Sequence, residues 1–358
     1  MPTRRSVVAG LAAAASWPGA TWADAGSPTH LSAARDPDES YALYGLREDG
    51  TLAFRVPLPD RGHAAAVHPV APEAVAFARR PGTFALVLDC IDGQVLRRLV
   101  APEGRHFYGH GAFSAEGELL FTTENAIETG EGRIGIWSRS EGYRRVGEFA
   151  SGGIGPHEIV RIPDTDTLAI ANGGIRTHPA TGREKLNLET MRPNLTLATE
   201  TGAVLQHVTV PEELSQNSLR HLAARADGVV ACAFQWQGDV YEAPPLLALY
   251  TGEDRLAFVE FDMATVRALV GYAGSVAFSQ ASDDVAITSP RGGLLVTYHL
   301  PTRQTTILRQ ADVCGISASA SGLMATDGQG SVHVLASQRV RVATHALAFD
   351  NHLVRVAA

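Results

Sequence analysis

The sequence has few cysteines, no basic stripe and no long apolar run, and each shortage excludes a class of protein. Cys90, Cys232 and Cys314 are an odd number and lie far apart, so they form no disulfide framework and are expected to be small buried apolar residues. The net charge of −8, without clustered lysine and arginine, argues against nucleic acid as a partner. No segment reaches the roughly 20 apolar residues that a membrane-spanning helix needs.

Familiar catalytic motifs are also missing. The histidines lack the spacing of a zinc finger or of a helical HExxH motif. Ser289 lies in TSPRGG, which is not the G-x-S-x-G pattern of a nucleophile elbow. The glycine-rich stretch GGIGPHE is not followed by a helical pattern that would direct a dipole at a phosphate. Aspartate and glutamate are scattered, and no pair is spaced for acid–base catalysis.

The N-terminus, MPTRRSVVAGLAAAASWPGATWADA, has the three parts of an export signal. Arg4 and Arg5 form a twin-arginine pair, a short apolar stretch follows, and Ala23-Asp24-Ala25 matches an A-x-A cleavage site. The chain is therefore predicted to be exported, already folded, to the periplasm. The predicted division is a twin-arginine signal peptide over 1–25, a linker over 26–39 and one domain over 40–358.

No amphipathic helical pattern persists along the chain. Short β-rich runs recur in sets of four, such as GHAAAVHP, EAVAFAR, FALVLDCIDG and QVLRRLVAP, and turn residues separate them. His63, His110 and His157 recur every 47 residues, a period typical of propeller blades. Six sets are complete, and two strands left at each end supply a seventh. The prediction is an all-β, seven-bladed β-propeller closed by strands from both termini; eight blades or a pair of β-sandwiches are the alternatives.

Polar residues recur where the first strand of a set begins and where the second strand ends. In a propeller these two positions lie on one face and surround the axis, so their side chains are predicted to build a ligand site. First strands begin at His63, His110, His157, His221, Cys314-Gly315 and, in the final DNHL, His352. Second strands end at Glu124 and Asn125, Asn172, Gln235, Arg291 and Asp327.

Histidine at four aligned positions favours a metal site, because neutral imidazole binds zinc, copper and iron well. The predicted metal ligands are His63, His110, His157 and His221, and the predicted ion is iron or another transition metal. The alternative is structural, since WD-type propellers use a buried histidine to bond the neighbouring blade. Arg220 and Arg291 are candidates for binding an anionic group.

The third set is interrupted between its second and third strands by IRTHPATGREKLNLETMRP, residues 175–193. Insertions of this length are more often functional than inert. The segment, which contains His178 and Arg183, is predicted to cover the same face as the polar residues.

The motifs GHGAFS, TTEN, GIGPHE, IANGGIRTHP, LNLETM, RHLA, TSPRGG and the terminal DNHL together resemble the bacterial family called domain of unknown function 1513, over about residues 40 to 358. The resemblance implies an exported propeller whose neighbours are imelysin-type iron-regulated proteins and a di-haem oxidoreductase-like protein, and hence a link to iron acquisition. The motif residues implied here are His110, Glu124, Asn125, His157, Glu158, Asn172, His178, His221, Arg291, Asn351 and His352. Phe349-Asp350 stands where relatives are expected to have Trp-Asp.

Three functions are compatible with these observations. The first is a periplasmic binding or scaffold protein that takes part in metal acquisition through its histidine-rich face, without catalysis. The second is a metal-dependent enzyme, either a reductase or a lactonase-like hydrolase whose ion is held by Glu124, Asn125, Asn172 and Asp327. The third is a protein-interaction platform in which the histidines are structural.

Overall fold

The structure is a computed structural model that describes residues 19–79, 83–182, 184–336 and 339–356. Within these residues the chain is almost entirely β and forms seven antiparallel sheets arranged as the blades of a propeller. The predicted seven-bladed architecture is confirmed. The single α-helix of the described residues, Met263–Ala268, and the short 3₁₀ turns are far from the length and apolarity required of a membrane-crossing helix.

The strands follow one another around the ring in chain order. The N-terminal segment supplies β1 (His30–Arg35), β2 (Tyr41–Leu46) and β3 (Leu52–Leu58). Blade 1 is β4 (Gly62–Val67), β5 (Glu73–Ala78), β6 (Ala85–Asp89) and β7 (Val95–Leu99); blade 2 is β8 (Arg105–Phe113), β9 (Leu119–Ala126), β10 (Glu131–Ser138) and β11 (Arg144–Ile154). Blade 3 is β12 (Pro156–Arg161), β13 (Thr167–Asn172), β14 (Asn194–Thr199) and β15 (Val204–Thr209); blade 4 is β16 (Asn217–Ala224), β17 (Val230–Trp236), β18 (Leu247–Tyr250) and β19 (Ala257–Phe258).

The second half of the ring continues the pattern. Blade 5 is β20 (Ser275–Phe278), β21 (Asp284–Ser289), β22 (Leu294–His299) and β23 (Thr305–Arg309); blade 6 is β24 (Val313–Ser319), β25 (Gly322–Asp327), β26 (Ser331–Leu335) and β27 (Arg339–Thr344). The chain ends with β28 (Ala348–Phe349) and β29 (Val354–Arg355). Short 3₁₀ helices span Pro179–Thr181, Leu188–Thr190, Glu212–Leu214 and Val240–Glu242.

Burial differs from strand to strand because each blade presents both faces to its neighbours. The second strands are continuous apolar runs; β5 reads EAVAFA and is buried from its second residue onward. The outermost strands face solvent on most positions, as in β7, which reads VLRRL. The core therefore lies between adjacent blades. The three cysteines are free and buried in it, which confirms the prediction that they are small apolar residues.

The ring closes where the two ends of the chain pair. β28 and β29 both pair antiparallel with β1, with Ala34 opposite Phe349 and His30 opposite Arg355. The expectation of two strands from each end is therefore wrong in detail. The N-terminal segment gives three strands, and the C-terminal segment gives one interrupted innermost strand. The linker predicted over 26–39 contains β1, because HLSAAR buries five of its six residues between neighbouring blades.

The first described residues contact the propeller. Trp22 is buried, and its indole Nε1 donates a hydrogen bond to the carbonyl oxygen of His68 at 3.0 Å. Ala25 is also buried. Arg4 and Arg5 lie outside the described residues, and removal of the signal after Ala25 stays a prediction.

Closure gives a stability prediction. Phe349 is 4% exposed and packs among residues of β2, β25 and β26, so Phe349→Ala should lower the free energy of unfolding by about 3–5 kcal/mol. Leu205→Ala, on the outer strand β15 where Leu205 is 56% exposed, should change it by less than about 0.5 kcal/mol. Urea denaturation measures both. Equal, small losses would contradict the role given to the closing strand.

Candidate metal centre

Five histidines from five consecutive blades meet on the propeller axis. These residues, here termed the axial cluster, are His63, His110, His157, His221 and His352. Their ring centroids form a closed circuit with steps of 4.9, 4.9, 4.9, 5.0 and 4.5 Å in that order. Four of the side chains are buried, and His63 is 12% exposed. The structure thus brings together the four predicted metal ligands and adds His352 to them.

Irregular strand pairing turns these side chains toward the axis. In blades 1 to 4 the register between the first and second strands shifts at or beside the histidine, and such bulges redirect a side chain. The interruption between β28 and β29 does the same for His352. Gly109 shows how tight the packing is: its φ is +100°, and a Cβ there would lie 3.0 Å from the His63 ring. Glycine is required at that position.

The ring nitrogens are close enough to share an ion. One group of three ligand nitrogens comes from His63, His110 and His157, and a second comes from His110, His221 and His352; within each group all lie within 4.8 Å of one another. Nε2 of His110 and Nε2 of His63 are 3.2 Å apart. Buried Nδ1 atoms of His63 and His157 and Nε2 of His352 have no hydrogen-bond partner among the described residues. Buried nitrogens without partners cost free energy, which a bound ion would recover.

A carboxylate orients two of the imidazoles. Glu158 follows His157, and its Oε2 lies 3.3 Å from Nδ1 of His221 and accepts a hydrogen bond from the Leu222 amide at 2.9 Å. Its Oε1 lies 3.6 Å from Nδ1 of His110. Burial raises the pKa of Glu158, but the contacts with His110 and His221 outweigh burial and hold the pKa well below its usual range. An ionised Glu158 keeps the proton on each Nδ1 and leaves Nε2 free to bind a metal.

A second carboxylate lies on the other side of the cluster. Asp350 accepts hydrogen bonds from Nε of Arg61 and Nη1 of Arg79, both at 2.7 Å, and its Oδ1 is 3.9 Å from Nδ1 of His63. Burial raises the pKa of Asp350, but His63 and the two arginines lower it more, so the group stays ionised. Asp350 thereby fixes Arg79 beside His63.

Four of the five imidazoles have lowered pKa values. Burial lowers the pKa of His63 to about 3, chiefly because the charged form loses its hydration. Burial, followed by nearby arginines and other histidines, also lowers the pKa of His157 and His352 far below 6.5, and burial lowers that of His221. Neutral imidazole is the form that binds metal ions.

Cavities open on both sides of the axial cluster. One, of about 230 Å³, lies at the ends of the second strands and has His63, His157 and His221 in its floor; this is called the upper cavity. The other, of about 670 Å³, reaches Glu158, His221 and His352 from the opposite end of the channel. An ion at the cluster is therefore accessible from solvent.

Other predicted site residues bond within their own blade or to the blade beside it, away from the axis. Glu124 is fully buried, and its Oε1 accepts from Thr122 and Arg145 at 2.7 and 2.6 Å. Asn172 donates to Ser151 O and Asn194 Oδ1, and Asp327 accepts from Gln310 and from the backbone of Gln329 and Ser331. Asn125 is buried in β9. The carboxylate–amide set suggested for a lactonase is distributed over three blades.

The remaining predicted residues divide between the cavity and the insertion. Gln235, Arg291 and Asn351 line the upper cavity. His178 lies in the insertion, where its Nδ1 accepts from the Ala180 amide, and Arg183 lies outside the described residues. The sequence prediction missed Arg79, although this residue directly follows the second strand of blade 1, much as Arg291 follows the second strand of blade 5. It also missed the role of Asp350.

The fold and the site define an all-β seven-bladed propeller with a buried histidine cluster on its axis. The family model described as "Protein of unknown function (DUF1513)" matches residues 56–356, so the chain belongs to this family. No curated protein matches the chain.

Similar solved structures support the fold alone at these low identities. The chain resembles Kuenenia stuttgartiensis hydrazine synthase at 12% identity, covering 95% of this chain and 100% of that one, with a TM-score of 0.62. It also resembles U3-55K at 13% identity (90% and 95% covered, TM-score 0.55) and the computationally designed Ika8 protein at 13% (89% and 87%, 0.55).

The lowered pKa values predict how stability depends on pH. Below pH 6.5 these histidines are protonated in the unfolded chain but stay neutral in the folded protein. The free energy of unfolding therefore falls as the pH falls, and for His63 this loss continues to about pH 3. Each such histidine contributes about 1.4 kcal/mol per pH unit. His157→Gln should therefore flatten the dependence between pH 7.5 and 5.5, measured by urea denaturation of metal-free protein. His207→Gln, on an exposed outer strand, should leave this pH dependence unchanged. If the free energy of unfolding depends equally on pH in both variants, the role given to His157 is contradicted.

Proposed function

We propose that this propeller binds one transition-metal ion at the axial cluster. The observation that carries the proposal is the pair of three-nitrogen groups, each within 4.8 Å, that share His110. A neutral imidazole offers one lone pair, so both groups cannot hold separate ions through His110. The stoichiometry is therefore one ion per chain.

The surroundings of the cluster favour binding over a purely structural use of the histidines. Histidines with a structural role in this chain bond to backbone carbonyls, as Nε2 of His30 does to Ala318 O and Nε2 of His345 does to Gly50 O. Among the described residues, the polar side-chain contacts of the axial cluster run instead to one another and to the carboxylates of Glu158 and Asp350. A set of imidazoles without thiolates suits iron, copper, nickel or zinc.

Metal titration tests the proposal. Chelator-treated protein should bind one equivalent of Co²⁺ or Zn²⁺ per chain. Binding is measured by the absorption of bound Co²⁺ or by calorimetry. His110→Ala should weaken binding by more than about 100-fold, because it removes a member of both groups. Glu158→Gln should weaken binding by about 10–100-fold, as expected for a group that orients a metal-binding histidine.

Controls separate metal binding from folding. His207→Ala removes an exposed imidazole outside the cluster and should bind metal with unchanged affinity. Melting temperatures of the metal-free variants show whether each is folded. Folded His110→Ala that binds as tightly as the unchanged protein would refute the proposal. Because copper binds most nitrogen sites tightest, the native ion should be read by mass spectrometry of protein matured in its own host.

We further propose that the metal is iron and that the protein acts in the periplasm as a binding or scaffold component of iron acquisition, with imelysin-type or di-haem proteins as partners. The support is the twin-arginine pair and A-x-A motif of the N-terminus and the family resemblance of the motifs. Replacing Arg4 and Arg5 together by lysine should abolish export, measured by fractionation of the host cell. Unchanged periplasmic protein would contradict this route, while leaving the metal proposal untouched.

A further inference from the structure

The upper cavity combines four positive charges in a protein whose net charge is −8. Its described lining residues include Arg79, Lys185, Arg220 and Arg291, and none of them is acidic. Positive charge concentrated in a concave site of an acidic protein attracts anions and repels cations. This charge distribution requires a separate explanation from the metal site, because cations above the cluster oppose a bound metal ion unless an anion accompanies it.

The four cations come from different parts of the ring. Arg79 follows β5 of blade 1, Lys185 belongs to the insertion of blade 3, Arg220 lies in β16 of blade 4, and Arg291 follows β21 of blade 5. They therefore surround the cavity instead of forming one patch on one strand. The 175–193 insertion, predicted to cover this face, contributes Ile175, Thr177 and Lys185 to the cavity wall.

Neighbouring groups hold the wall in place. Arg291 stacks over the Tyr272 ring with 4.4 Å between its Cζ and the ring centroid, and Asn351 donates to the Tyr272 hydroxyl at 3.2 Å. Arg79 is fixed by its hydrogen bond to Asp350. In the floor, the buried Nδ1 of His157 has no hydrogen-bond partner among the described residues. These side chains are positioned before any ligand arrives, which reduces the entropic cost of binding.

The cations are also close enough to act on one another. Partial burial lowers the pKa of Lys185, and the nearby charges of Arg220 and Arg291 lower it further. An anion between these groups would relieve that repulsion, so the charges favour a ligand with more than one negative charge.

The geometry points to the upper cavity as a binding site for a small organic acid with two or three carboxylates. Arginine forks pair with carboxylates in a planar, two-bonded arrangement. The separation of the cations around the wall suits negative charges distributed over a carbon skeleton. Tyr108, Tyr272 and Ile175 supply apolar surface for that skeleton. The volume of about 230 Å³ lies below the roughly 300–1,000 Å³ of sites for drug-sized ligands, so the ligand is small.

The site does not require the metal, although an anion held above the axial cluster is placed to contribute ligands to an ion there. A compact phosphate is the competing oxyanion, because it carries a similar charge on one centre. Acetate has the carboxylate group but a single charge, and it serves as the matched weak ligand. The comparison of these three anions decides which chemistry the cavity recognises.

The test is calorimetric titration of the full chain with tricarballylate, phosphate and acetate after dialysis against a chelator. Removing metal first makes the result independent of the metal proposal. Tricarballylate should bind at least tenfold tighter than phosphate or acetate. Added salt should weaken the binding of tricarballylate, because it screens the charges. Lys185→Gln, on the exposed insertion, should weaken tricarballylate binding severalfold, and Lys185→Gln with Arg291→Gln by tenfold or more.

Arg309→Gln is the matched control, because Arg309 is exposed on the outer strand β23 and the substitution removes the same charge away from the cavity. It should leave tricarballylate affinity within twofold. Arg291→Lys keeps the positive charge but loses the two-bonded guanidinium geometry. Its affinity for tricarballylate should therefore lie between those of the unchanged protein and of Arg291→Gln. The inference is overturned if tricarballylate does not bind, if phosphate binds tighter, or if Arg309→Gln weakens binding as much as the folded double variant does.

Discussion

Pairing of the two chain ends with each other is the constraint on which the other features depend. β1 is held between β2 and the interrupted strand β28–β29, so the ring closes through backbone hydrogen bonds between residues more than 300 positions apart. A closed ring leaves no exposed inner edge. It also fixes the radius at which the first strands lie, and that radius brings five imidazoles from five blades to within 4.5–5.0 Å of their neighbours around the circuit.

The axial cluster is stabilised by a division of charge between buried groups. Glu158 and Asp350 remain ionised because imidazoles and arginines contact them, while burial lowers the pKa of four of the axial histidines. The result is a set of oriented nitrogen donors with little positive charge of their own. The cationic side chains are placed one layer further out, in the upper cavity. This layering separates a site suited to a metal from a site suited to an anion.

The repeated histidines made the fold and most of the cluster predictable from the sequence. The spacing of 47 residues and the recurring sets of four β-rich runs can both be recognised in the sequence without knowledge of tertiary contacts. The polar ends of the second strands were less informative. Glu124, Asn172 and Asp327 look equivalent to Arg291 along the chain, yet all three are buried away from the upper cavity. Glu124 bonds to Thr122 of its own strand, whereas Asn172 and Asp327 bond to Ser151 and Gln310 of the preceding blade. Whether such a side chain faces the cavity or packs between the blades depends on tertiary contacts that no local pattern encodes.

The sequence by itself determined the number of blades, the histidine at the start of each of the first four inner strands and the insertion in blade 3, because these follow from composition and spacing. Tertiary structure alone decided that β1 joins the closing blade, that bulges aim the histidines at one point, and that Asp350 holds Arg79 beside His63. It also decided that Arg79, Lys185, Arg220 and Arg291 face one cavity. Many of these contacts join residues that are 100 or more positions apart in the sequence. The distances between such residues are set only when the ring closes.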